Sequence, residues 1–150
     1  MSDLRELYQE VIIDHNRHPR NHHVMVDPSA ETDGFNPLCG DKLTLYLKIE
    51  NNHLVDVSFI GVGCAISQAS ASLMTEAMKG KTIKEAEVLF GRFHALLTTH
   101  DAALDATFSL DKLHVLAGVR EYPARVKCAT LAWHTLEAAL HQEKKIVSTE

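Results

Sequence analysis

Chemistry in this 150-residue chain concentrates on three cysteines and one aspartate: Cys39 and Asp41 in L-C-G-D-K, Cys64 in G-V-G-C-A-I-S, and Cys128 in R-V-K-C-A-T-L. No other cysteine is present. An odd, widely spaced set cannot close a disulfide framework. Three thiolates and a carboxylate can, however, complete a tetrahedral metal site, and zinc accepts both donor types. Each cysteine stands beside a glycine or a basic residue where an apolar-periodic segment begins. Helix starts and adjacent cations lower a thiol pKa and populate thiolate, the form that ligates metal and attacks sulfur. Cys64 has a helix start. Cys128 has a helix start, Lys127 and, one turn back, Arg125. A zinc ion held by Cys39, Asp41, Cys64 and Cys128 keeps two units of net negative charge, which Arg125 and Lys127 are expected to offset. The competing reading makes these cysteines small buried hydrophobes, a common fate of free thiols.

The elements that must bring these residues together follow from hydrophobic periodicity. Leu4, Leu7, Tyr8, Val11 and Ile12 recur at helical spacing, with Ser2 as N-cap and Pro19 as stop. Arg17 to Leu38 reads as turns and loops, with room for one short strand. K-L-T-L-Y-L-K-I-E alternates, placing Leu43, Leu45, Leu47 and Ile49 on one strand face. After Asn51 and Asn52, Val55, Val57 and Phe59 do the same, which predicts a β-hairpin. Its antiparallel pairing sets the start of the first strand beside the end of the second, making Cys39 and Cys64 neighbours. Residues i and i+2 of an extended chain share a side, so Cys39 and Asp41 are expected to converge across Gly40.

Beyond Gly63 the pattern is helical. Ile66, Ala69, Leu73 and Ala77 form a stripe ended by Gly80. Thr82 and Glu85 form a capping box, and Ile83, Ala86, Phe90, Phe93 and Leu97 carry the next helix. A looser stretch from Thr98 to Ser109 precedes a short helix through Leu110, Leu113 and Val119. Pro123 lies ahead of a last helix with Leu131, Leu136, Ala139 and Leu140. The order predicts an α+β fold, with helices covering one face of a small antiparallel sheet. Residues 1–150 are read as one domain, since this length buries about two-thirds of its unfolded surface.

Composition narrows the function. The net charge of −5, with scattered Lys and Arg, argues against nucleic-acid binding and against an anionic membrane. With no signal-like N-terminus and no long apolar run, unpaired thiols point to a reducing, cytoplasmic setting. Of the ten histidines, His15, His18, His22 and His23 are expected to be solvated polar residues rather than ligands. Trp133, Tyr122 and the phenylalanines are expected in the core or at an interface.

C-G-D together with G-x-G-C-A-I-S and the final cysteine helix resembles the U-type iron–sulfur cluster assembly proteins (IscU-like and NifU N-terminal-like), over almost the whole chain. That resemblance implies a sheet of about three antiparallel strands flanked by helices, with the three cysteines and Asp41 at one exposed site. The housekeeping scaffold type carries a histidine before the third cysteine and an L-P-P-V-K segment. Here Y-P-A-R-V-K-C has Lys127 at that place and no L-P-P-V-K, and the chain is longer around G-R-F-H-A-L-L. All three features resemble the SufU type, which implies zinc on Cys39, Asp41, Cys64 and Cys128 and persulfide sulfur accepted from a cysteine desulfurase of the SufS kind. It implies Cys39 as the acceptor, a downstream iron–sulfur scaffold or apo-protein as recipient, and a sulfurtransferase-like role rather than a multiple-turnover enzyme. Arg125 is expected to stabilise thiolate or persulfide charge. The alternatives are a scaffold building a transient [2Fe–2S] cluster from Fe²⁺ and sulfide on the same residues, and a non-catalytic adaptor with a structural zinc. A cysteine hydrolase is disfavoured, because no histidine is singled out as a base.

Overall fold

The computed structural model describes residues 2–98, 111–141 and 147–148. Helix α1 (Ser2–Arg17) is followed by strands β1 (Ala30–Asn36), β2 (Asp41–Glu50) and β3 (His53–Val62). Then come α2 (Ala65–Met78), α3 (Ile83–Thr98), a 3-10 helix (Asp111–Glu121), α4 (Pro123–Leu140) and a two-residue strand β4 (Val147–Ser148). The sheet order is β3-β2-β1-β4; the three long strands are antiparallel and β4 adds to β1 in parallel. The α+β fold with about three antiparallel strands is therefore as expected. Among the described residues, no helix is long and apolar enough to cross a membrane.

The hairpin forms because Asn51 and Asn52 both take positive φ, at 51° and 62°. Paired left-handed residues make the tight turn whose twist suits antiparallel strands, and asparagine tolerates that conformation well. One expected face is corrected. Leu43, Leu45, Leu47, Val57 and Phe59 point into the core, but Val55 is 41% exposed and Leu54 is fully buried. A register shift brings Ile49 opposite Leu54 and Lys48 opposite Asp56, leaving Val55 as the extra residue. A bulge of this kind moves later side chains to the other face.

α2 and α4 lie against the buried face of the sheet. Trp133 on α4 stacks on Phe93 of α3, with ring centroids 4.0 Å apart and planes 14° from parallel. Its indole N–H donates to Ser70 Oγ on α2 at 3.1 Å. α4 can approach β1 closely because Gly34 has no side chain: a Cβ there would collide with Thr135 Oγ1. The capping box of α3 forms as predicted, with Thr82 N–H donating to Glu85 Oε1 at 2.9 Å and Glu85 N–H to Thr82 Oγ1 at 3.0 Å.

Other boundaries differ from the expectation. The segment before Cys39 holds β1, a full partner of β2. α1 already includes Ser2. The expected short helix is a 3-10 helix, and Leu110 and the looser stretch beyond Thr98 fall outside the described residues. Pro123 opens α4 as its first residue, the position where a missing N–H costs nothing. His15 is buried, not solvated: its Nδ1 is 2.7 Å from Ser72 Oγ on α2 and its Nε2 lies 3.5 Å from Glu76. His15 thus ties α1 to α2.

Candidate functional site

Three separate parts of the chain meet at one end of the sheet. The turn between β1 and β2 carries Cys39, and Gly40 bends it with φ +71°. Asp41 opens β2, paired with Asn36 at the end of β1. Lys42 is paired with Val62 at the end of β3, so Gly63 and Cys64 follow directly beside Asp41. Cys128 arrives from the second turn of α4. Strand alternation is not what joins Cys39 to Asp41, since Cys39 sits in a turn; the left-handed Gly40 swings the thiol over instead.

Cys39 Sγ lies 3.1 Å from Cys128 Sγ, far beyond the bond length of about 2.05 Å in a disulfide. One ligand-type atom from each of Cys39, Asp41 and Cys128 lies within 4.8 Å of the others. Cys64 stands at the border of this group: its Sγ is 3.9 Å from Asp41 Oδ2. Exposure is graded, with Cys39 exposed, Cys64 intermediate and Cys128 buried. Asp41 is fully buried, and its Oδ1 accepts the Cys64 backbone N–H at 2.8 Å. Gly63 makes that contact possible, because a Cβ there would lie 2.6 Å from Asp41 Oδ1. Cys64 is the N-cap of α2, and its Sγ accepts the Ser67 N–H at 3.4 Å.

Asn36 completes the cluster, and the sequence pattern did not single it out because N-P reads as a turn signal. Fully buried, it donates from Nδ2 to Asp41 Oδ2 at 3.3 Å and to Cys128 Sγ at 3.5 Å. Its Oδ1 accepts the Leu38 N–H at 3.3 Å. An asparagine just before a proline and three residues before a candidate ligand was the available signal.

The expected cations play a smaller part. Arg125 is exposed and Lys127 half-buried, and neither side chain makes a hydrogen bond or ion pair with the cluster among the described residues. Nor is the Cys128 thiol eased towards thiolate by its helix. Burial pushes its pKa up, and the neighbouring Cys39, Cys64 and Asp41 add to the rise. Cys128 lies beyond the first turn of α4, where the field of a helix terminus has faded, so burial dominates. His18, His22 and His23 do not join the thiols. His22 instead places its ring edge on Phe59, with centroids 5.0 Å apart. A second convergence of Glu87, Glu137 and His141 contains no thiol and lies on the outer side of α3 and α4.

Thiols and a carboxylate gathered at one sheet end, with the glycines that let them meet, are accompanied by a match to the NifU-like N-terminal domain over residues 7–149. The chain belongs to that family. It is 41% identical over 143 residues to the zinc-dependent sulfurtransferase SufU of Bacillus subtilis (strain 168), covering 95% of each chain. It is 38% identical over 140 residues to the iron–sulfur cluster assembly scaffold protein IscU of Streptococcus pyogenes serotype M1, covering 93% of this chain and 86% of that protein. Among solved structures, a SufU from Fervidobacterium islandicum AW-1, described as an iron–sulfur cluster assembly scaffold protein for the SUF system, superposes with a TM-score of 0.79. It is 36% identical, covering 91% of this chain and 98% of that one. This NifU-like domain thus shares sequence with relatives named for sulfur transfer and with relatives named for cluster scaffolding.

Proposed function

We propose that this protein is a zinc-dependent sulfur acceptor of iron–sulfur cluster biogenesis, taking persulfide sulfur from a cysteine desulfurase onto Cys39. The observation that carries the reading is the unequal holding of the four groups. Asp41, Cys64 and Cys128 each receive an N–H donor. Cys39 Sγ receives none among the described residues, is exposed, and lies 3.1 Å from Cys128 Sγ. Hydrogen bonds to sulfur draw off thiolate charge, so the thiol without one is both the most reactive and the most weakly anchored. The donor set fits zinc, whose charge, when bound, keeps the ligating thiols deprotonated, Cys128 included.

In the transfer, Cys39 thiolate attacks the outer sulfur of the donor's persulfide. A new S–S bond forms on Cys39, the donor's S–S bond breaks, and the donor cysteine leaves as thiolate. No external electrons are needed, because the outer sulfur keeps its oxidation level as it moves. Asp41, Cys64 and Cys128 stay in place while Cys39 swings on its turn. Arg125, on the Cys128 face of α4, is assigned to the charge of the incoming persulfide. A downstream scaffold or apo-protein would take the sulfur by the same exchange.

Intact mass after incubation with a cysteine desulfurase and cysteine tests this. One added sulfur on the wild type, absent from Cys39→Ser while zinc remains near one equivalent, is the expected result. Undiminished sulfur loading of Cys39→Ser would overturn the assignment. The scaffold reading is favoured by the IscU relative and by the suitability of thiolates for iron–sulfur ligation. Anaerobic reconstitution that yields stoichiometric iron and acid-labile sulfide, with no persulfide, would select it. An adaptor with a structural zinc predicts a closed site, against which the exposure of Cys39 argues.

A further inference from the structure

We infer that Asn36 is a positioning residue that fixes Asp41 and Cys128 as the resident pair of the site and leaves Cys39 as the ligand that departs; the inference rests on the sulfur-acceptor reading above. A primary amide offers two N–H donors and one carbonyl acceptor, and in Asn36 both ends are used. The Leu38 N–H bond to Oδ1 fixes which end of the amide faces the cluster. Nδ2 then necessarily points at Asp41 Oδ2 and Cys128 Sγ. The same side chain therefore braces two of the groups and starts the turn on which the third is carried, an asparagine-closed turn continued by Pro37.

The chemistry selects an amide here. Asp41 and Cys128 are both anionic when they ligate, and both are buried. Beside any bound metal, two buried anions that no Lys or Arg side chain pairs with among the described residues are eased by N–H dipoles, and hydrogen bonds to charged acceptors are the stronger kind. Asn36 supplies such dipoles without adding charge, and among the described residues it makes no hydrogen bond to Cys39 Sγ. Partners outside a metal's own ligands typically set affinity by about ten- to a hundredfold.

The test uses the chain of 150 residues with Asn36→Ala and with Asn36→Leu, the latter keeping the same branched shape and heavy-atom count should the smaller side chain collapse the site. Zinc affinity is read by competition with a chromophoric chelator. Cobalt substitution reads the thiolates directly through their sulfur-to-metal charge-transfer band. Both variants are expected to bind zinc about ten- to a hundredfold more weakly. The band is expected to move to lower energy, because a thiolate stripped of its N–H donor gives up charge more readily. A residue acting through packing alone would not move the band. Wild-type affinity with an unmoved band in Asn36→Leu overturns the inference. A wild type that shows no thiolate charge-transfer band overturns the metal-site reading itself, and this inference with it.

Discussion

Gly63→Ala isolates the carboxylate corner of the site without removing any thiol. The added Cβ would lie 2.6 Å from Asp41 Oδ1 and 3.2 Å from both Asp41 Cβ and Cγ. Gly63 does not have a left-handed φ, so the backbone accepts alanine and the strain falls on the Asp41 side chain. Turning that carboxylate breaks its 2.8 Å bond from the Cys64 N–H. A hydrogen bond to a charged group contributes about 1.5–3 kcal/mol. At about 1.4 kcal/mol per tenfold change, zinc should bind roughly ten- to a hundredfold more weakly. The same bond is present without metal, so the metal-free protein should also melt about 3–12 °C below wild type. Gly91→Ala is the matched control: it lies inside α3 with nothing within 4 Å of the added carbon. There alanine should stabilise by about 0.5–1 kcal/mol and leave zinc affinity unchanged. Chelator competition and melting on all three proteins decide the matter. A zinc affinity for Gly63→Ala within about threefold of wild type, outside the tenfold expected from the lost bond, would refute the carboxylate's placement as the metal-facing group.

Three further outcomes are expected. Phe93→Ala removes a fully buried ring stacked on Trp133 and should cost about 3–5 kcal/mol in denaturant melts; a loss below about 1 kcal/mol would contradict that packing. Burial holds the His134 imidazole below its ordinary range, helped by His94 and opposed by Glu137, so the unfolded chain takes up a proton that the folded one resists. Stability should therefore fall as pH drops through about 6.5 and level off below the folded pKa, and His134→Gln should show a shallower fall in melting temperature between about pH 8 and pH 5.5. Arg125→Ala should leave zinc affinity unchanged and slow sulfur loading, most clearly at low salt where charge attraction is least screened; equal loading rates at low salt would remove Arg125 from the transfer step.

What was legible in the sequence is what local chemistry determines. Alternation around Asn51 and Asn52 fixed the hairpin and Thr82 and Glu85 the start of α3; the antiparallel pairing, expected to make Cys39 the neighbour of Cys64, sets Asp41 beside it. β1 was legible only as room for one short strand between Arg17 and Leu38, because A-E-T-D-G-F-N is polar and holds a glycine. Its place is set by α4, which needs Gly34 to make room for Thr135. Val55 was placed on the wrong face because a bulge depends on a partner strand, which periodicity does not register. His15 looked solvated for a similar reason: its burial comes from Ser72 and Glu76, distant in sequence. Asn36 was hidden by its neighbour Pro37, since a turn signal accounted for it before any tertiary contact could.

The sequence placed cations where the fold uses dipoles, and that difference bears on mechanism. Arg125 or Lys127 seated against the thiolates would neutralise all of them at once, Cys39 included, and would oppose its departure towards a donor. N–H groups act over one bond length and one direction. Asn36, the Cys64 amide and the Ser67 amide can therefore quiet Cys128, Asp41 and Cys64 while leaving Cys39 untouched. The glycines are part of the same device. Gly63 lets the Cys64 amide close on Asp41, and Gly40 holds the Cys39 turn at a φ that few other residues adopt. A short, exposed turn is also the part of this site that can move without disturbing the sheet. Under the proposed transfer, charge compensation that is directional, rather than strong, would let one thiol of a shared cluster react while the others hold.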